Sequence, residues 1–91
     1  MPLRILLIHR HSLVLHALKA LIEGLGYQVA GQSNRDEGGR MAESLQPNVA
    51  IVDFDLPSAS GLDTAREILR LSPLTKVIIL SSQIQEDGVS T

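Results

Sequence analysis

The sequence predicts an α/β fold: a doubly wound parallel sheet with helices on both faces and element order βαβαβαβ. Three observations carry that expectation. Short apolar runs such as Ile5–Leu6–Leu7–Ile8 recur along the chain and suit strands buried on both faces. Segments with apolar residues at helical spacing alternate with them. The connections between these segments are short, as in a parallel sheet built with right-handed helical crossovers.

Residues 4–8 (RILLI) form the first predicted strand. Ser12 is placed to cap a helix running to about Gly24. Its apolar stripe is Val14, Ala17, Leu18, Leu21, Ile22 and Leu25, with His16, Lys19 and Glu23 opposite. Gly24–Leu25–Gly26 suits a helix stop, and residues 27–31 (YQVAG) read as a second strand. Residues 35–45 read as helix because Met41, Ala42 and Leu45 share a face, although two interior glycines cost about 1 kcal/mol each against Ala. After Pro47, residues 49–53 (VAIVD) form a third strand. A turn-rich loop, 56–61 (LPSASG), leads into a helix over 61–71, with Leu62, Ala65, Ile68 and Leu69 inward. Pro73 stops that helix, and residues 76–81 (KVIILS) form the fourth strand. The tail at 84–91 carries no clear period.

Composition excludes several function classes. Ninety-one residues make one domain at most. A formal net charge of −2 gives no electrostatic case for nucleic acid or a membrane surface. Tyr27 and Phe54 are the only aromatic residues, which argues against a base-stacking surface. With no Cys there is no disulfide framework and no thiolate site, as expected of a chain in a reducing cytoplasm. No apolar run is long enough to span a bilayer, and no signal-peptide core is expected at the N-terminus.

In open α/β sheets, chemistry collects at the carboxyl ends of strands, where strand order reverses. Here those ends carry His9–Arg10–His11, Gly31–Gln32–Ser33, Asp53–Phe54–Asp55 and Ser81–Ser82. His9 and His11 invite a metal reading, but two imidazoles lack a third ligand, and cap or surface histidines are the preferred reading. His16 reads as solvent-exposed. Asp53 could serve as a simple loop cap, and Ser81 as a buried hydroxyl bonded to backbone.

Four segments, taken in order, give the chain a resemblance to the receiver domain of bacterial two-component response regulators, especially receivers that precede a helix-turn-helix output domain. These are RILLIHRHS, NVAIVDFDLPSASGLD, AREILRLSPLTKVIILSS and, more loosely, GYQVAGQSNRDEGG. The resemblance implies a flavodoxin-like (CheY-like) sheet in strand order 2-1-3-4. It also implies that Asp53 accepts a phosphoryl group from a histidine kinase. Asp55 would lend its backbone carbonyl to Mg²⁺, with Asp53 as a further ligand, and Ser81 would be the hydroxyl that moves to the phosphoryl oxygens. Gly61 would serve the loop-to-helix turn.

The departures matter as much. The family ends its first strand in carboxylates that hold Mg²⁺, whereas this chain has His9 and Arg10 there. Magnesium prefers oxygen ligands in octahedral array, so weak or no Mg²⁺ binding is expected. Arg10 is expected to reach Asp53 as a paired, even bidentate, cation and to oppose phosphorylation, against the alternative that it snorkels into water. The favoured expectation is an atypical receiver acting by protein–protein contact in transcription regulation, without enzymatic activity. A competent phosphoacceptor comes second. A small flavodoxin-like enzyme or cofactor binder comes third, since no Gly-rich phosphate loop is present.

Residues 1–91 are expected to form a partial receiver whose last strand is an open edge beside an uncovered apolar face. Such a chain either pairs with itself or is a piece of a longer protein. Light scattering should therefore show self-association of the isolated chain, and a clean, stable monomer would count against the exposed-face argument.

Overall fold

A computed structural model describes residues 2–57 and 60–81. The elements are β1 (Arg4–Ile8), α1 (Ser12–Gly24), β2 (Gln28–Ser33), α2 (Gly38–Leu45), β3 (Val49–Asp53), α3 (Gly61–Leu71) and β4 (Lys76–Leu80). The four strands form one parallel sheet in the order β2-β1-β3-β4, as the resemblance implies. Side chains alternate across the sheet and define two cores. Leu6, Ile8, Ala50 and Val52 pack under α2 and α3 through Ala42 and Ile68. Ile5 and Leu7 pack under α1 through Leu15 and Ile22.

Several boundaries and faces differ from the sequence expectation. Ser12 lies inside α1 rather than capping it. His11 precedes the helix in extended backbone without a capping bond, while the Ser12 hydroxyl accepts from the Asn34 amide at 3.2 Å. The second strand runs on to Ser33 because its pairing with β1 continues through Ile8, past a bulge beside Ile5 and Leu6. The second predicted helix starts at Gly38, not at 35. The Ser33 hydroxyl accepts from Arg35 N at 3.0 Å and donates to Glu37 at 2.8 Å, and these local bonds hold the intervening residues in a turn.

The α1 stripe read from the sequence is turned relative to the sheet. Leu15, which it left out, is buried with Ile22, whereas Ala17, Leu21 and Leu25 are exposed. The opposite edge of the helix, at Ser12 and His16, borders the end of β2. The exposed leucines therefore face the β3–β4 side, where Ile78 is also half exposed. In α3 the inward positions are Gly61, Thr64, Ala65 and Ile68, and Leu62 and Leu69 are half exposed. Small residues at the contact let α3 lie close against its neighbours.

The two glycines that weakened the α2 expectation serve that close approach. A Cβ on Gly38 would meet Thr64 Cγ2 at 2.7 Å and Ile68 Cδ1 at 3.2 Å, both packed in place. The three atoms nearest a Cβ on Gly39 all belong to the side chain of Glu67, which can swing toward solvent. Gly38→Ala should therefore cost about 1–3 kcal/mol through overpacking. Gly39→Ala should be neutral or stabilising by up to about 1 kcal/mol through helix propensity. Urea unfolding of the two variants checks this, and equal losses would refute the packing argument.

Candidate functional site

The strand order reverses direction between β1 and β3, and this places the residues after Ile8 beside the end of β3. β1 has just ended there, while β3 continues one residue further, so His9 and Arg10 flank Asp53 from the neighbouring strand. Asp53 pairs in register with Leu80, and Phe54 N donates to Leu80 O at 2.8 Å. Ser81 follows immediately and is exposed, so its reading as a buried hydroxyl does not hold. Ser82 and the tail at 84–91 lie outside the described residues.

Asp53 is fully buried, and both of its carboxylate oxygens accept main-chain N–H groups. Arg10 N donates to Oδ2 at 3.4 Å, and Asp55 N donates to Oδ1 at 3.2 Å. The second bond is an Asx-type turn, in which a side chain accepts from its own backbone two residues on. Asp55 thus faces the carboxylate with its N–H. The arrangement satisfies a buried charge that would otherwise be costly. Among the described residues, no buried side-chain nitrogen or oxygen lacks a partner.

The Arg10 guanidinium also reaches Asp53, but through one nitrogen, with Nε at 3.8 Å from Oδ2. It does not form the bidentate fork that the sequence suggested. The same Nε donates to His11 Nε2 at 3.1 Å, and the Arg10 side chain is 42% exposed. Hydrogen bonds from neutral donors to a charged acceptor contribute about 1.5–3 kcal/mol each, and the long distances place these two at the lower end. The ion pair is long and its guanidinium is half exposed, so water screens the cation. Most of the hold on Asp53 therefore comes from the backbone, with the guanidinium adding positive potential.

His9 is buried at the base of this group. Its Nδ1 lies 3.6 Å from Asp53 Oδ2, a distance that suggests an ion pair. His11 N, however, donates to that same Nδ1 at 3.1 Å. An atom accepting a hydrogen bond carries a lone pair there, so His9 is neutral with its proton on Nε2. Burial is the largest cause holding its pKa below the usual 6.5, opposed by Asp53 and reinforced by His11 and Arg10. His11 and His16 are exposed, as cap or surface residues should be.

Gly61 does more than turn the chain into α3. A Cβ there would strike the main chain at Asp53 O and would lie 2.7 Å from Phe54 Cα. Gly61 N donates to Phe54 O at 2.6 Å, and the Ser60 hydroxyl caps α3 by accepting from Asp63 N at 3.2 Å. The start of α3 thus lies directly against the loop that carries Asp53 and Asp55.

The family model described as "Response regulator receiver domain" matches residues 5–91. The chain belongs to the response regulator receiver family. It is 34% identical over 89 residues to the transcriptional regulatory protein LiaR of Bacillus subtilis, covering 96% of this chain and 42% of LiaR. It is 30% identical to the chemotaxis protein CheY of Thermotoga maritima, covering 91% of this chain and 70% of CheY. With the nitrate/nitrite response regulator NarL of Escherichia coli the identity is 32%, covering 99% and 43%. The receiver thus spans less than half the length of LiaR and NarL. Among solved structures, the response regulator domain of T. maritima CheB superposes with a TM-score of 0.84 at 25% identity, covering 94% of this chain and 65% of that one. A LuxR-family response regulator from Aurantimonas gives a TM-score of 0.84 at 23% identity, covering 99% and 66%, which speaks to the fold.

Within this receiver, two hollows of about 320 and 340 Å³ lie away from Asp53. One is bordered by α2 and α3, the other by α1 and the end of β2. Among the described residues, no group of three or more His, Asp or Glu side chains is arranged to hold a metal ion. What residue types alone could not reveal is the main-chain part of the site: the N–H groups of Arg10 and Asp55, and the acceptor role of His9.

The lowered His9 pKa has a definite sign in stability. As pH falls through 6.5, the unfolded chain takes up a proton on His9 that the folded chain resists. Stability should decline from there downward until the folded value is passed. Urea midpoints measured from neutral to mildly acidic pH should show this slope in the parent and a shallower one in His9→Asn. Identical slopes would show that His9 is not the titrating group.

Proposed function

We propose that this chain is an atypical receiver, a signalling module rather than an enzyme, in which Asp53 is held by the chain's own donors in place of a metal. The observation that carries this reading is the double main-chain hold on the buried Asp53 carboxylate, with the Arg10 cation beside it. Magnesium needs several oxygen ligands with free lone pairs. At this rim His9 Nδ1 is a nitrogen engaged by His11 N, and Arg10 places a positive charge 3.8 Å from Asp53 Oδ2. The residues present do not fit the ion.

The same contacts oppose phosphoryl transfer. A nucleophilic carboxylate oxygen needs an open in-line path to the phosphorus. Here Oδ2 faces Arg10 N and Nε as well as His9, and is inaccessible to solvent. The module then acts through protein–protein contact in the cytoplasm. Its partner would be a histidine kinase or another signalling protein, and its setting transcription regulation, as in the transcriptional regulatory protein LiaR. Self-association through the β4 side, where Ile78, Leu21 and Leu25 are exposed, belongs to the same reading.

The test is incubation with a small phosphodonor and Mg²⁺, followed by intact mass, alongside Mg²⁺ titration of the parent and Arg10→Asp. The parent should gain no phosphate and bind Mg²⁺ weakly, and Arg10→Asp should bind it more tightly. A phosphate-sized mass gain that disappears in Asp53→Ala, or tight Mg²⁺ binding by the parent, would establish a competent phosphoacceptor instead.

A further inference from the structure

Arg10 supplies two contacts to Asp53, and only one of them belongs to its side chain. The other is its main-chain N–H, whose direction depends on how the chain turns between β1 and α1. That turn has no glycine and no proline. His11 adds no capping side-chain bond to α1. Across the turn, His11 N donates to His9 Nδ1 at 3.1 Å. The imidazole thereby closes the turn as an Asn or Asp would, accepting from the N–H two residues on. On the neighbouring strand, Asp53 Oδ1 accepts from Asp55 N in the same relation. Two adjacent strand ends are thus closed by the same type of turn, and the Arg10 N–H of one points at the carboxylate of the other.

We propose that His9 is the positioning residue of this site: by closing the β1–α1 turn through Nδ1, it aims the Arg10 N–H at Asp53. The hold on Asp53 then survives loss of the Arg10 side chain and fails when residue 9 cannot accept a hydrogen bond. The burial of His9 suits this role, since a fixed neutral ring keeps its acceptor in place, anchored further by His9 N donating to Ser33 O at 3.1 Å. The inference deepens the reading of Asp53 as a held carboxylate and rests on it.

The experiment is NMR on the ¹⁵N-labelled chain. In the parent, long-range ¹H–¹⁵N spectra of the His9 ring should show Nδ1 unprotonated and Nε2 protonated at neutral pH. A protonated Nδ1 would overturn the proposal without any variant. Hydrogen exchange at the residue 10 amide should be unchanged in Arg10→Gln and in His9→Asn, whose Oδ1 can accept the same bond. It should be about tenfold faster or more in His9→Leu, which fills the space without an acceptor. Unchanged exchange in His9→Leu, or equal losses in the Asn and Leu variants, would overturn it. Should His9→Leu not fold, the ring tautomer and the Asn variant still decide. Tight Mg²⁺ binding by the parent would remove the functional reading and leave the turn result standing, so the two failures are distinguishable.

Discussion

A carboxylate with no exposed surface, at the end of a central strand, must be satisfied from within the protein. Asp53 is that group, and Arg10 N and Asp55 N are the donors that satisfy it. Much of the rim follows from this requirement. β1 must end beside β3 so that its next residues can reach across. The β3–α3 loop must fold back to present Asp55 N, and α3 must start close enough to press on that loop, which is where Gly61 becomes necessary. The parallel order β2-β1-β3-β4 puts β1 and β3 side by side and makes the contact available.

The receiver resemblance implies carboxylates after the first strand, and His9 and Arg10 stand there in this chain. Two positions, His9 and Arg10, change the chemistry of the notch without disturbing the sheet. Leu6, Leu7 and Ile8, which precede them, stay fully buried in the two cores. The family fold is therefore retained with an imidazole and a guanidinium at the two positions that follow β1. Fold and site are separable here, as they are in many α/β proteins.

The sheet was readable in advance because buried parallel strands are continuous apolar runs. Residues 4–8 and 49–53 match β1 and β3 residue for residue, and α3 runs over 61–71 as its spacing indicated. The late start of α2 escaped because hydroxyl bonds around Ser33 are not visible in hydrophobic periodicity. The rotation of α1 escaped for a different reason. Its stripe is wide enough to be docked by either edge, and only the position of neighbouring elements decides which leucines are covered. At the site, Asp53 and Arg10 were legible from residue type and position. The detailed geometry was not, because a main-chain N–H looks the same in every sequence, and because an imidazole can donate or accept with no change of residue.

The whole reading depends on whether the Asp53 carboxylate is already occupied by protein donors when a divalent ion arrives. Titration of the ¹⁵N-labelled chain with Mn²⁺, a paramagnetic stand-in for Mg²⁺, addresses that directly. The amide signals of Arg10, Phe54 and Asp55 should stay as sharp as those of residues on the far side of the sheet. Selective broadening of those three signals, relieved by competing Mg²⁺, would place an ion at Asp53 and contradict the account.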